Sequence, residues 1–232
     1  MSRLFFILII LLVSQHSVAQ TRIFISAGPS LNVNYEPNTF YFPGIGNAVY
    51  STDGSYTTNG FSKYWTFDIE VEKRISKLFL LSGAHFFNSG YSNSRDTNFS
   101  TFEAKHLGIP LMLRVNMLNY CYLDVGMLGV FNLKATLEET ALKGSALERY
   151  DKGNIAPYLS PFSIGFQVQY SLVINRYFIT GYFTKVGVSV DKTLNENWNL
   201  GGNYRGNSLF LNDMGSTYKF YLLGLKLGVR IK

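Results

Sequence analysis

The chain has 232 residues with 21 Lys and Arg against 15 Asp and Glu, a formal charge of +6. Its bases are scattered rather than gathered into a run or stripe, which argues against a nucleic-acid partner. A single cysteine, Cys121, excludes an internal disulfide framework, and no Cys and His spacing of the zinc type occurs.

The first segment carries Arg3, an apolar run from Leu4 to Val13, a polar stretch from Ser14 to Ser17, and then Val18 and Ala19 before Gln20. This is the pattern of a cleaved secretory signal, so residues 1–19 are expected to be a signal peptide and 20–232 the exported domain. The run is too short for a helix across about 30 Å of hydrocarbon.

After that, 19 Phe and 16 Tyr alternate with Gly, Ser and Asn in stretch after stretch, which is strand patterning. Eight strands are expected, at 22–35, 63–73, 78–91, 103–115, 120–133, 157–170, 177–189 and 217–231. On the second, Trp65, Phe67, Ile69 and Val71 alternate with Thr66, Asp68, Glu70 and Glu72. On the fourth, Leu107, Ile109, Leu111, Leu113 and Val115 alternate with Gly108, Pro110, Met112 and Arg114. The sixth sets Phe162, Ile164, Phe166 and Val168 against Ser163, Gly165, Gln167 and Gln169, and the eighth sets Leu223, Leu225, Leu227 and Val229 against Gly224, Lys226, Gly228 and Arg230. The alternation leaves the faces of His85 and Phe183 open.

The connections alternate as well. Arg74 to Lys77, Asn116 to Asn119 and Ser171 to Arg176 are tight, whereas Glu36 to Ser62, Ser92 to Phe102, Lys134 to Ala156 and Val190 to Ser216 are long. An even strand count, short turns at one end, long loops at the other and a face free of charge over the middle of the second, fourth, sixth and eighth strands, the third and seventh being less clean, are the plan of an eight-stranded antiparallel up-and-down transmembrane β-barrel. The expected location is the outer membrane.

The other face carries the charges. Asp68, Glu70, Glu72, Arg114, Asp124, Lys226 and Arg230 are expected to form a lumen network, with Glu72, Arg114, Gln169 and Arg230 at one level, Glu70, Met112, Asp124 and Gln167 next, and Asp68 with Lys226 beyond. In an eight-stranded barrel such side chains plug the interior rather than line a pore. Gly108, Gly126, Gly165, Gly224 and Gly228 are read as room for these long side chains. Pro110 is expected to mark a strand bend or bulge, since proline cannot donate to the ladder.

Leu107 to Leu113, the preceding strand with Gly83 and Gly90, the following Tyr122 to Phe131 and the closing Leu222 to Lys232 together resemble the PorT-like outer-membrane β-barrel family. The similarity extends over nearly the whole exported chain in layout, and the Ile109-Pro110 strand is its most specific part. It implies an eight-stranded barrel of a gram-negative outer membrane and suggests an accessory role in protein secretion. The chain departs from the usual aromatic ending of such barrels, finishing at Ile231-Lys232.

For function, Ser82, His85, Glu103 and His106 on adjacent strands are the candidates for catalysis, but no spacing brings nucleophile, base and orienter together. His106 is expected to cap the lumen near the loop end, and the chain is read as no enzyme, without cofactor or metal. Thr136 and Glu139 have capping-box spacing, Glu139 and Lys143 can pair across a turn, and Gly144 can end a helix, so 136–150 is expected to contain a short surface helix. The loops around Tyr50, Tyr56 and Phe61 and around Trp198, Tyr204 and Phe210 suit contact with glycans, envelope proteins or lipopolysaccharide. The leading expectation is a structural or adhesive barrel acting through its surface loops; the alternatives are a secretion accessory and a barrel enzyme acting on envelope lipid. A soluble lipocalin-like binder is disfavoured by the charge-free outward bands.

Overall fold

The computed structural model describes residues 21–34, 49–50, 55–57, 64–75, 78–95, 98–143, 146–191 and 217–231. The expected signal segment lies outside them, as do most of the two loops around Phe61 and Trp198. The strands are β1 (Thr21–Asn34), β2 (Val49–Tyr50), β3 (Ser55–Thr57), β4 (Tyr64–Ile75), β5 (Leu78–Arg95), β6 (Asn98–Leu118), β7 (Cys121–Lys143), β8 (Ala146–Asn154), β9 (Phe162–Ile174), β10 (Tyr177–Ser189) and β11 (Thr217–Arg230). Eight of them, β1, β4, β5, β6, β7, β9, β10 and β11, pair with their chain neighbours, all antiparallel, and β1 closes on β11 through pairs such as Ile25↔Val229. The protein is a closed eight-stranded barrel, as the alternation indicates. Closure leaves these strands no free edge.

The tight turns fall at one end. Ile75 pairs with Leu78, Leu118 with Cys121 and Ile174 with Tyr177. Asn175 in the last of these has φ 59°, the left-handed conformation that asparagine tolerates and hairpin turns demand.

At the opposite end the structure corrects two loop assignments. Residues 92–102 complete a hairpin of β5 and β6 that pairs out to Arg95↔Asn98. Among the described residues of 134–155 there is no helix: β7 runs on to Lys143 and β8 returns along it from Ala146↔Lys143 to Asn154↔Thr136. Thr136 and Glu139 are strand residues, because Ala135 and Leu137 are wholly buried at a period of two and β6 offers partners such as Phe102↔Leu137. Tertiary pairing overrides a capping-box spacing that has no apolar helical stripe behind it. The expected strand 157–170 is likewise shifted to Phe162–Ile174, behind a 3-10 turn at Ala156–Tyr158 that contains Pro157. With β3 pairing the outer end of β5, these extensions make an open sheet of order β2-β3-β5-β6-β7-β8 beyond the barrel.

Polarity is reversed relative to a water-soluble barrel. Trp65, Leu111, Met127, Ile164, Leu225 and Leu227 are all more than half exposed, while Asp68, Glu70, Glu72, Arg114, Asp124 and Lys226 are almost wholly buried. His85 points inward with them, and Phe183 faces outward across from outward Leu223. From Leu107 to Val115 the outward face of β6 is apolar over nine positions, about 27 Å of strand. At a tilt near 40° this is about 20 Å along the axis, close to the roughly 25 Å apolar band of an outer-membrane barrel.

Two irregularities shape the wall. Pro110 faces the lumen and stays in register with Leu128 on β7. Toward β5 the pairing lapses between Ser82↔Leu111 and His85↔Gly108 without a shift of register, so the proline marks a gap in one ladder and not a bulge. The bulge lies further out, where Lys105 pairs Lys134 but His106 pairs Asn132, which leaves Leu133 extra. The inward glycines also differ from expectation. Added Cβ atoms at Gly224 and Gly228 would lie 2.5 Å from the Tyr182 ring and 2.1 Å from the Phe178 ring, so they make room for cross-strand aromatics rather than for charged side chains.

Candidate functional site

The lumen has two layers. At the short-turn end, alternate positions of β4, β6, β7 and β11 bring charges together. Arg114 on β6 is the directly opposed partner of Asp124 on β7, and its Nε and Nη2 donate to the two carboxylate oxygens, each at 2.7 Å. Its Nη1 donates to Glu72 Oε2 at 2.8 Å, and the guanidinium lies 5.0 Å from the Phe24 ring and 5.2 Å from that of Tyr122. A fixed planar fork between two carboxylates is a task for arginine, since an ammonium cannot make the bidentate contact. The other oxygen of Glu72 accepts from Arg22 at 3.2 Å.

One level further in, the Lys226 ammonium donates to Asp68 Oδ2 and to Gln169 Oε1, the latter at 3.1 Å, and lies 3.9 Å from Glu70. Glu70 also accepts from Gln169 Nε2 at 3.0 Å and meets His85 Nε2 at 2.9 Å. Ligand-type atoms of Asp68, Glu70 and His85 lie within 4.8 Å of one another, a spacing that can hold a cation. The positive charge at that spot is supplied by Lys226.

Six of the seven expected lumen charges are therefore brought into two adjacent groups, Arg114 with Asp124 and Glu72, and Lys226 with Asp68 and Glu70. Arg230 is not: it is half-buried at the end of β11, across from Phe24, and takes no part in either. The level assignments need correction too, because strand tilt moves neighbours along the axis. Gln169 serves Glu70 and Lys226 rather than Glu72 and Arg230, and Asp124 belongs with Arg114. Sequence reasoning missed Arg22 and His85 as members. The register Arg22↔Glu72 and Asp68↔His85 supplies both, and it is a long-range pairing that the alternation alone does not fix.

Above this layer an apolar cluster dominates the lumen, with Asn32, Ser89 and His106 buried beside it. Phe102, Leu128, Leu137, Ile155, Val188 and Phe220 belong to one buried cluster there. Ile155, whose N–H donates to Ala135 O at 3.0 Å, brings the 3-10 turn into this plug. His106 is buried within this plug, stacked between Phe87 and Phe220 at centroid distances of 5.0 and 5.2 Å, and not at the loop end where a cap is expected.

His106 Nε2 is 2.7 Å from Ser89 Oγ, and Nδ1 is 2.7 Å from Asn132 Oδ1. The Asn132 amide nitrogen donates to Ser160 O, so its oxygen is the acceptor, Nδ1 carries the proton, and Nε2 accepts from the serine hydroxyl. The connectivity is that of nucleophile, base and orienter. Ser89 is wholly buried beside the apolar cluster, however, so its hydroxyl is presented to neither solvent nor lipid. The arrangement closes a hydrogen-bond chain that satisfies buried polar groups. Of the four residues weighed for catalysis and set aside, Ser82 and Glu103 are not buried and lie on outward positions, so the four do not converge.

No family model matches the chain, and no curated protein matches it either. What fold and site define is a class: a closed antiparallel eight-stranded β-barrel with an apolar outer wall and an ion-paired, filled lumen.

Proposed function

We propose that the protein is an outer-membrane barrel, exported by its N-terminal signal, whose eight strands cross the bilayer with the lumen plugged. It acts as a structural or adhesive protein through the sheet and loops beyond the barrel. The observation that carries this reading is the inside-out polarity. Large apolar side chains stand in the open on every barrel strand except β1 and the outer part of β10, while ion pairs and an apolar plug fill the interior. A contiguous exposed apolar surface of this extent is not sustained in water. The resemblance of the Ile109-Pro110 strand and its neighbours to PorT-like barrels supports the location. A filled lumen favours a loop-borne role over transport, and the buried state of Ser89 favours it over lipid chemistry.

The short-turn end carries Lys73, Arg74 and Arg176, the last over the Tyr177 ring at 5.4 Å, with exposed Tyr120 in the turn between β6 and β7. Basic and aromatic residues of this kind suit the phospholipid interface of the inner leaflet, so that end faces the periplasm. A thiol-reactive, membrane-impermeant label applied to whole cells tests the orientation in a Cys121→Ser background. Ser55→Cys, on the outer sheet, is expected to react, and Ser76→Cys, between β4 and β5, only after the membrane is breached. The opposite pattern reverses the topology. Recovery of the protein in the soluble periplasmic fraction removes the membrane reading itself.

A further inference from the structure

The β7 bulge has a chemical consequence. Without it Lys134 would follow Asn132 toward the lumen; with Leu133 inserted, Leu133 and Lys134 both point outward and both are exposed. Lys134 then stands directly across from Lys105 of β6, also exposed. Like charges on opposed positions, with Cβ atoms about 5 Å apart, repel. Among the described residues neither lysine has an ion-pair partner. Beside them runs a groove of about 360 Å³ across the outer wall, lined by Ala27, Trp65, Phe67, Phe86, Lys105 and Leu133. A mainly apolar trough with Lys105 in its lining and Lys134 across the ladder from Lys105 matches an amphiphile with an acyl chain and an anionic head.

We propose that this is a lipid site. The acyl chain lies in the trough against Trp65 and Phe67, and a phosphate monoester is clamped between Lys105 and Lys134. The pair lies at the end of the apolar wall away from the tight turns, which is the outer leaflet in the orientation above, so the ligand is the phosphorylated, acylated glycolipid of that leaflet. The inference rests on the membrane reading. Phosphate is the fitting partner because its oxygens can accept from both ammonium groups at once and remove their repulsion.

Trp65 makes the site visible. In a Trp198→Phe protein, Trp65 is the remaining tryptophan, and bromine on an acyl chain in the groove quenches it. The chain is reconstituted in phosphatidylcholine vesicles containing either brominated phosphatidate, which carries a phosphate monoester, or brominated phosphatidylcholine. Phosphatidate is expected to quench at about tenfold lower mole fraction, from a few-fold contribution of each lysine. Added diphosphoryl lipid A should relieve the quenching. Lys105→Gln with Lys134→Gln should abolish the preference, while Lys185→Gln, another exposed lysine of the wall, should keep it. Both lysines are exposed, so the double variant is expected to fold, and unchanged Trp65 quenching by brominated phosphatidylcholine verifies it. Equal quenching by the two lipids in the parent protein, or a preference that survives the double substitution, overturns the site. Quenching by neither lipid overturns the membrane reading on which it depends.

Discussion

Replacing Arg114 by Ala is expected to lower the stability of the refolded barrel by about 3 to 5 kcal/mol, the cost of leaving a buried charge without its partner. The loss should show as a lower urea midpoint in lipid or detergent. Arg114 is almost wholly buried and makes three charged hydrogen bonds, two to Asp124 and one to Glu72. Glu72 keeps Arg22, which is partly exposed, so the heavier penalty falls on Asp124. A simple exchange, Glu72→Arg with Arg114→Glu, should not restore stability, because the carboxylate placed on β6 would stand directly against Asp124. A neutral triple change, Arg114→Met with Glu72→Gln and Asp124→Asn, should recover most of the loss, since replacing a whole buried ion cluster is far less costly than removing one member. An Arg114→Ala protein as stable as the parent would mean that water reaches this layer.

Leu225→Arg should cost about 2 to 4 kcal/mol, the range for a cationic side chain at the bilayer midplane on the lipid face of a barrel. Leu225 is 59% exposed and lies between Leu223 and Leu227 on the outward face of β11. In water the same change at so exposed a position would fall within about 0.5 kcal/mol of neutral. The two environments thus give opposite expectations for one substitution. Lys219, six residues along the same face, is already basic, so Lys219→Arg should be silent and serves as the control.

The barrel is legible in the sequence because an apolar outer wall on one side and a paired lumen on the other impose a strict period of two. Each strand within the apolar band declares its inward and outward residues, and six of the seven lumen charges follow from that. Legibility ends where the band ends. Beyond Lys105 and Lys134 the outward face turns polar, so Thr101, Glu103 and Thr136 alternate with buried Phe102, Ala104 and Leu137 in a pattern that looks like loop. That is why the residue pattern reads as loops and a helix where the β5-β6 and β7-β8 extensions stand. The Ser89, His106 and Asn132 chain is hidden for a different reason. Its members sit on three strands, and a one-residue change of register would separate them. The bulge at Leu133, which decides the direction of Lys134, leaves no mark in the residue pattern other than two successive outward positions.

Whether the outer wall meets lipid is measured most directly by spin labels in the Cys121→Ser background, attached at Ile164 and Leu225 on the wall and at Lys152 on the outer sheet, after reconstitution into bilayers. Collisions with oxygen, which partitions into hydrocarbon, should dominate at Ile164 and Leu225, with few collisions from a water-soluble nickel chelate. Lys152, whose ammonium pairs with Glu138 at 2.9 Å in an exposed position, should show the reverse. Equal access of the nickel chelate to all three positions would contradict a membrane-spanning barrel.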